Sequence, residues 1–443
     1  LDLMPDNFID TLYMKYNRVW RVTKEQIETH QQNFSHSDYE IPEAILNWPG
    51  NGDTTYGFAH MLAPFTDYNS NEVYEPLLGD HPNIKGDVAV YAMYHDHHVE
   101  LVPGDNPVSD LEVHVLLYAY ETSASEILSN TVFANYNIIN RGNWIYADFY
   151  SGIFSSVDLG HFDDDFVGCD SSLDLFFVYN GDSIDGPTPT PNYGEQLPAF
   201  GCMPVTHDLH AFMHRDNDIT VISKPLTAEH RYYCMDARFR DGTKMTYGGN
   251  GYDTGAFETN FMFSSDPRDP EGWSEITESN APSDRRFYGS TGPYTFYPGD
   301  ELCVEFAYIF AQVENPADNI SSVDLLKSYA AGLKAIYPFL EDEVCPTYKT
   351  DTLSPQSGIS FDEFIIYPNP ASELVYFYME QPDQAVFFGE LYDVTGKLTG
   401  IYSFINEEEN QLHTIDVSNL STGIYLLRLK VQGFEFSSKI VVR

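Results

Sequence analysis

Gly423-Ile424-Tyr425-Leu426-Leu427-Arg428-Leu429-Lys430-Val431 sets Tyr425, Leu427, Leu429 and Val431 on one side of an extended chain and Arg428 and Lys430 on the other. That period of two predicts a half-buried β-strand. Outward from it, residues 374–378, 385–392, 397–405, 412–417 and 434–442 are further runs of strand formers, each bounded by turn residues. Val431-Gln432-Gly433-Phe434 reads as a tight hairpin, and Asp393-Val394-Thr395-Gly396 as a turn that uses glycine's access to positive φ. About seven strands at this spacing make a small antiparallel, immunoglobulin-like β-sandwich over residues 361–443. Asn369, held between two prolines, suits a stiff, non-helical lead-in to it.

The order of short motifs in this segment is specific. It runs Tyr367-Pro368-Asn369-Pro370, a strand, Leu391-Tyr392-Asp393-Val394-Thr395-Gly396-Lys397, Ile415-Asp416-Val417-Ser418, Gly423-Ile424-Tyr425-Leu426-Leu427, and Lys439 near the end. The segment resembles the type A C-terminal sorting domain of proteins exported by the type IX (Por) secretion system of Bacteroidota. The resemblance implies that Tyr367, Pro368, Asn369, Pro370, Gly396, Lys397, Gly423, Tyr425 and Lys439 carry the sorting signal. It implies the type IX outer-membrane translocon, shuttle and sortase components as partners, with a surface lipopolysaccharide as anchor. The implied location is secreted, at the cell surface and attached to the outer membrane.

Composition points the same way. The chain has 67 acidic and 23 basic residues, a formal charge of -44. Nucleic acid is excluded as a partner, because phosphate binding needs a basic footprint. An anionic membrane surface is excluded on the same ground. So large a surplus repels itself unless cations sit within it, so structural calcium is expected. No apolar run is long enough for a transmembrane segment. Leu1-Asp2-Leu3-Met4-Pro5-Asp6 lacks the basic start and apolar stretch of a signal peptide, so the chain reads as a mature or truncated product. Cys169, Cys202, Cys234, Cys303 and Cys345 form no C-x-x-C pair, and disulfides among them would leave one cysteine odd.

Residues 346–360 are rich in Pro, Ser and Thr without apolar periodicity, as expected of a linker. Residues 1–345 precede it as a passenger. Its runs at 113–120, 131–139, 173–179 and 302–311 are β-branched and aromatic, so the passenger reads as β-sandwich-like with few helices. A Thr23 to Gln26 capping box opens a short helix within residues 17–33. Val323, Leu326, Tyr329, Ala330, Leu333 and Ile336 give residues 321–338 a helical stripe. Asn47-Trp48-Pro49-Gly50-Asn51-Gly52-Asp53, Leu62-Ala63-Pro64-Phe65-Thr66-Asp67-Tyr68-Asn69 and Tyr179-Asn180-Gly181-Asp182 resemble a recurrent module of large Bacteroidota surface proteins. That resemblance implies a location rather than an activity, and a passenger truncated at its start.

Two acidic loops suit calcium. Asp67, Asn69 and Asn71 occupy loop positions 1, 3 and 5, with the Val73 carbonyl at 7 and Glu75 at 9, the first part of a loop of EF-hand type. Glu72 stands where that loop has glycine, Leu78 where it ends in Glu, and Asp80 is a substitute carboxylate. In the second loop Asp163, Asp164 and Asp165 repel one another unless solvated or bridged, and Asp158 and Asp170 bracket them. His95, His97, His98, Glu112 and His114 could gather a transition metal if their two strands pair. His207, His210 and His214 are spaced to share a helical face.

No G-x-S-x-G elbow is present. Carboxylate pairs for glycoside hydrolysis can always be found among 67 acids, so they carry no weight here. Tyr232-Tyr233, Phe287-Tyr288 and Tyr294-Thr295-Phe296-Tyr297 suit either sugar stacking or strand faces. The expected function is that of an exported surface protein with a structural or adhesive passenger, which would take a glycan or host-matrix ligand. The alternative is a carbohydrate-binding or polysaccharide-degrading surface protein.

Overall fold

The computed structural model describes residues 16–340 and 365–443, apart from 17, 55–57, 96–108, 122–124, 143, 187–191, 216–219, 379–385, 394–396, 406–411 and 432–433. The chain is mainly β, 40% strand and 15% helix. It divides into two compact units, Leu1–Pro346 and Thr347–Arg443.

An eight-stranded antiparallel sheet organises the first unit. Its strands lie in the order Trp20–Thr23, Val88–His95, Leu111–Ala119, Thr131–Asn140, Glu301–Gln312, Pro198–Pro204, Leu175–Asn180, Asp165–Asp170. Every residue of Leu175–Asn180 is buried because the sheet is covered on both faces. Phe176 and Val178 join Phe212 and Phe287 of a second, three-stranded sheet built from Ala211–Arg215, Arg286–Phe296 and Tyr146–Ser156. Leu175, Phe177 and Tyr179 instead meet Val323, Leu326, Ala330 and Leu333 of helix Ser321–Ile336. The two-residue alternation thus feeds two cores from one strand, each large apolar side chain contributing about 1.5–3 kcal/mol.

The helical expectations translate with one shift. Trp20–Thr23 pairs with Val88–Tyr91, burying Trp20 and Val22, so the first helix starts only at Lys24. Thr23 caps it as expected: Oγ1 accepts from Gln26 N at 3.3 Å and Thr23 N donates to Gln26 Oε1 at 3.0 Å. The histidine spacing misleads. Ala211–Arg215 is an all-buried strand zipped to Arg286–Ser290, so His210 and His214 do not share a helical face. Cys169, Cys202 and Cys234 are free and buried, while Cys303 is disulfide-bonded. No helix among the described residues is long and apolar enough to cross a membrane.

The second unit is a sandwich of a three-stranded sheet (Ile365–Tyr367, Leu374–Tyr378, Leu412–Asp416) and a four-stranded one. The latter runs Leu398–Ile405, Val386–Asp393, Gly423–Val431, Phe434–Val442. Val375, Phe377 and Ile415 pack against Leu391, Leu427, Leu429 and Ile440. Tyr425, Leu427 and Leu429 are buried while Ile424 and Leu426 are exposed, the alternation their spacing demands. Val431 pairs with Phe434, the register of a two-residue hairpin; Gln432 and Gly433 lie outside the described residues.

Candidate functional site

In the second unit the residues of the sorting motif gather at few places. Tyr367 ends the strand paired with Leu374–Tyr378, and Pro368, Asn369 and Pro370 follow it, exposed. Gly396 lies outside the described residues. Lys397 closes its hairpin, with Asp393 N donating to Lys397 O at 2.9 Å and Lys397 N to Asp393 Oδ1 at 3.1 Å. Gly423 starts the central strand, and Tyr425, two residues on, ties its hydroxyl to Ser421 O at 2.8 Å. The Lys439 side chain is exposed on the terminal strand.

The first acidic loop spends its oxygens internally. Asp67 Oδ1 accepts from Asn69 N and Ser70 N, and Oδ2 from Glu72 N at 2.6 Å. These bonds hold Ser70 and Glu72 at φ of 60° and 62°, in the left-handed region that non-glycine residues rarely enter. Asn71 Oδ1 accepts from Val73 N, and the Asn69 and Asn71 amides donate to Glu75 Oε2. Asp80 is buried and takes Tyr68 N and Glu75 N.

The second loop is different. Asp165 opens its strand and is fully buried; Oδ2 accepts from Leu159 N at 3.2 Å, while Oδ1 has no partner. Asp164 Oδ2 accepts from Gly186 N, and its Oδ1 is also buried without a partner. Asp185, which the sequence did not nominate, completes the group: it is fully buried and accepts from His161 N and Tyr193 N. Burial, reinforced by the charges of Asp164, Asp185 and Asp158, pushes the Asp165 carboxyl up to about 8. Asp158 and Asp163 are exposed. Asp170 cannot share an ion with Asp165: five extended residue steps, about 16 Å, separate them, and Asp170 is occupied by Ser172 and Lys327. Among the described residues no group of three or more His, Cys, Asp and Glu side chains is arranged to hold a metal.

The strands carrying the other histidines do pair, with His95 opposite Glu112. Yet Glu112 and His114 are buried and spent on each other at 2.6 Å. Arg141 Nε, at 3.0 Å, and Ala59 N also reach Glu112, and Leu62 O faces His114 Nδ1. Burial alone would raise the Glu112 carboxyl; His114 and Arg141 more than reverse it and leave it lowered. This is an ion-paired network tying the segment around Ala59 and Leu62 to the sheet. His97 and His98 lie outside the described residues.

A cavity of about 280 Å³ lies beside strand Ala211–Arg215. Its floor is a buried ion pair with side chains 0% and 5% exposed. Arg285 Nε meets Glu275 Oε1 at 2.9 Å and Nη2 meets Oε2 at 2.7 Å. Val167 N and Asn280 Nδ2 supply Glu275's further donors, and Ser283 Oγ accepts from Arg285 Nη1. Burial lifts the Glu275 carboxyl above its usual range, with Arg285 opposing. His214 lines the cavity and is held well below its ordinary pKa by burial, helped by Arg285 and Arg215, so the ring is neutral. Phe239 and Phe263 give apolar walls, and Asn250 of the Gly248–Gly251 turn stands at the rim. Such a lining offers hydrogen bonds and ring faces to a small polar molecule. Among the described residues Glu275 is the one carboxylate that lines it.

A second polar group gathers around Asp236. Asp236 collects His210 Nε2 at 3.2 Å, Arg238 Nε at 2.6 Å and Lys244 Nζ at 3.0 Å. Burial raises its carboxyl, but those three donors prevail and leave it lowered. Tyr150 lies 5.1 Å from His210 and 5.6 Å from exposed Tyr232. Of the other aromatics named above, Phe287, Tyr288, Phe296 and Tyr297 are core, while Tyr233 and Tyr294 are half-buried.

Among known proteins, residues 365–443 match the secretion system C-terminal sorting domain family. No curated protein matches the chain. Among the solved structures that it matches are two that resemble it faintly. A polysaccharide lyase does so at 7% identity and TM-score 0.22, over 75% of this chain and 34% of that one. Dimeric latent PorU from Porphyromonas gingivalis does so at 12% identity and TM-score 0.16, over 80% and 29%. The chain thus spans about a third of the length of each, and TM-scores this low carry no argument.

Proposed function

We propose that this chain, whose residues 365–443 are a type IX secretion C-terminal sorting domain, is displayed at the cell surface through the translocon, shuttle and sortase, with a surface lipopolysaccharide as its outer-membrane anchor. The sorting domain is the observation that carries this reading. The passenger is a structural or adhesive component whose ligand is a matrix surface and whose Asp164–Asp165 loop is held by calcium. Two buried carboxylate oxygens without partners support the cation. Main-chain oxygens and water would complete its shell, as calcium accepts.

The calcium reading makes a pH-dependent prediction. A carboxyl raised from 3.8 to about 8 in the native state stabilises the fold fully below its unfolded pKa and loses that contribution as pH rises toward 8. A bound cation removes the penalty of ionising it. Calcium is therefore expected to raise the melting temperature of the full chain at pH 8 and to change it little at pH 5. Asp165→Asn should melt alike with calcium or chelator at both pH values. An unchanged wild-type melt at pH 8 would rule calcium out of this loop.

Carbohydrate recognition is the second reading, favoured by the His214–Glu275–Arg285 cavity and by exposed Tyr232 beside His210. A glycan array run with the full chain in calcium and in chelator separates the two. Saturable binding to a defined sugar, lost in His214→Ala, selects recognition; silence in both conditions selects the scaffold.

A further inference from the structure

The sorting domain's first motif closes on its last strand. Phe434–Val442 ends the four-stranded sheet, with Gly423–Val431 on one side. Against its other side lies Asn369: Nδ2 donates to Lys439 O at 2.6 Å, and Oδ1 accepts from Val441 N at 2.9 Å. A carboxamide presents one donor and one acceptor side by side, as a peptide group does, so this side chain stands in for a neighbouring strand. The backbone then takes over. Ala371 N donates to Val441 O and Arg443 N to Ala371 O, each at 2.8 Å, and Ala371 forms a parallel bridge with Val442. Four consecutive edge groups of residues 439–443 are satisfied by residues 369 and 371. An ordinary proline-bounded lead-in needs no such alignment.

We propose that Asn369 is the positioning residue of the sorting signal, clamping residues 439–443 into the sheet so that the secretion machinery reads one composite surface made of the Tyr367–Pro370 motif and the docked C-terminus. Lys439 and Arg443 are exposed on that surface, so its partner is a protein that grips a folded strand edge carrying two cations rather than a loose tail. The proposal rests on residues 365–443 being the sorting domain.

The test is made in the full chain, with hydrogen exchange read at single amides and the surface-displayed fraction measured in cells. Asn369→Ala removes both side-chain bonds. Exchange at Val441 and Arg443 is expected to rise about tenfold, the equivalent of one to two net hydrogen bonds, with Leu427 and Leu429 unchanged. Display should fall several-fold. Lys439→Ala keeps the carbonyl and should keep both protections. Should Asn369→Ala loosen Leu427 as well, Asn369→Asp is the deciding variant: it retains the acceptor for Val441 N and loses only the donor to Lys439 O. Slow exchange at Val441 and Arg443 in Asn369→Ala would overturn the clamp; fast exchange there with undiminished display would overturn its part in sorting. A chain lacking residues 423–443, run alongside, distinguishes the two levels, because its normal display would defeat the sorting reading itself.

Discussion

A chain lacking residues 423–443 is expected to accumulate in the periplasm, with no surface-displayed fraction. Gly423–Val431 lies between Val386–Asp393 and Phe434–Val442, so the deletion removes a central strand together with its edge neighbour. Tyr425, Leu427, Leu429, Ile440 and Val442 leave the core with it. At about 1.5–3 kcal/mol for each large apolar side chain, the loss is comparable to the whole stability of a small domain. Leu429→Asp in the full-length chain separates fold from peptide, since it places a carboxylate in that core yet leaves every motif of the tail in place. If it too is retained, the machinery reads the folded sandwich. If it is displayed while the deletion is not, the terminal peptide suffices. Cell fractionation and surface labelling give both answers, and display of the deletion would contradict the assignment.

Glu275→Ala is expected to cost the passenger about 3–5 kcal/mol, a fall in melting temperature on the order of 10 °C. The cost arises from Arg285, left buried and cationic with Ser283 Oγ and Ala281 O as its remaining acceptors among the described residues. The double variant Glu275→Leu, Arg285→Met should recover most of the loss, because an apolar pair of similar volume needs no desolvated charges. A thermal double-mutant cycle measures the coupling. Additive losses would show that the two groups act separately and that the cavity floor is not a unit.

Much of the sandwich was legible because strand alternation is local: Tyr425 and Leu427 declare their face within five residues. The helix at 321–336 was legible for the same reason. The cavity was not. Glu275 and Arg285 lie outside the strands, ten residues apart, and the N–H that Val167 adds to the same carboxylate comes from an edge strand of the large sheet more than 100 residues away. Asp185 escaped notice because its burial depends on Gly160, whose φ of 89° and missing side chain admit the carboxylate; a Cβ there would stand 1.9 Å from Asp185 Oδ2. The His207, His210, His214 spacing fitted a helix, but Ala211–Arg215 has sheet partners on one side and residues 260–262 on the other, and this tertiary pairing overrode it. The glycine-rich run at 248–255 was the one local sign of the cavity rim.

The place of Glu301–Gln312 in the large sheet also bears on when the passenger becomes a folded object. It joins Thr131–Asn140 on one side to Pro198–Pro204 on the other, so the two halves of the sheet meet only through a strand near the passenger's C-terminal end. Closing such long loops must precede the contacts that reward it, which puts the chain among slow folders of high contact order. Until residue 312 has been delivered, the earlier strands have no complete sheet to join. The large sheet is therefore expected to close late, when the last strand joins two halves that pair within themselves.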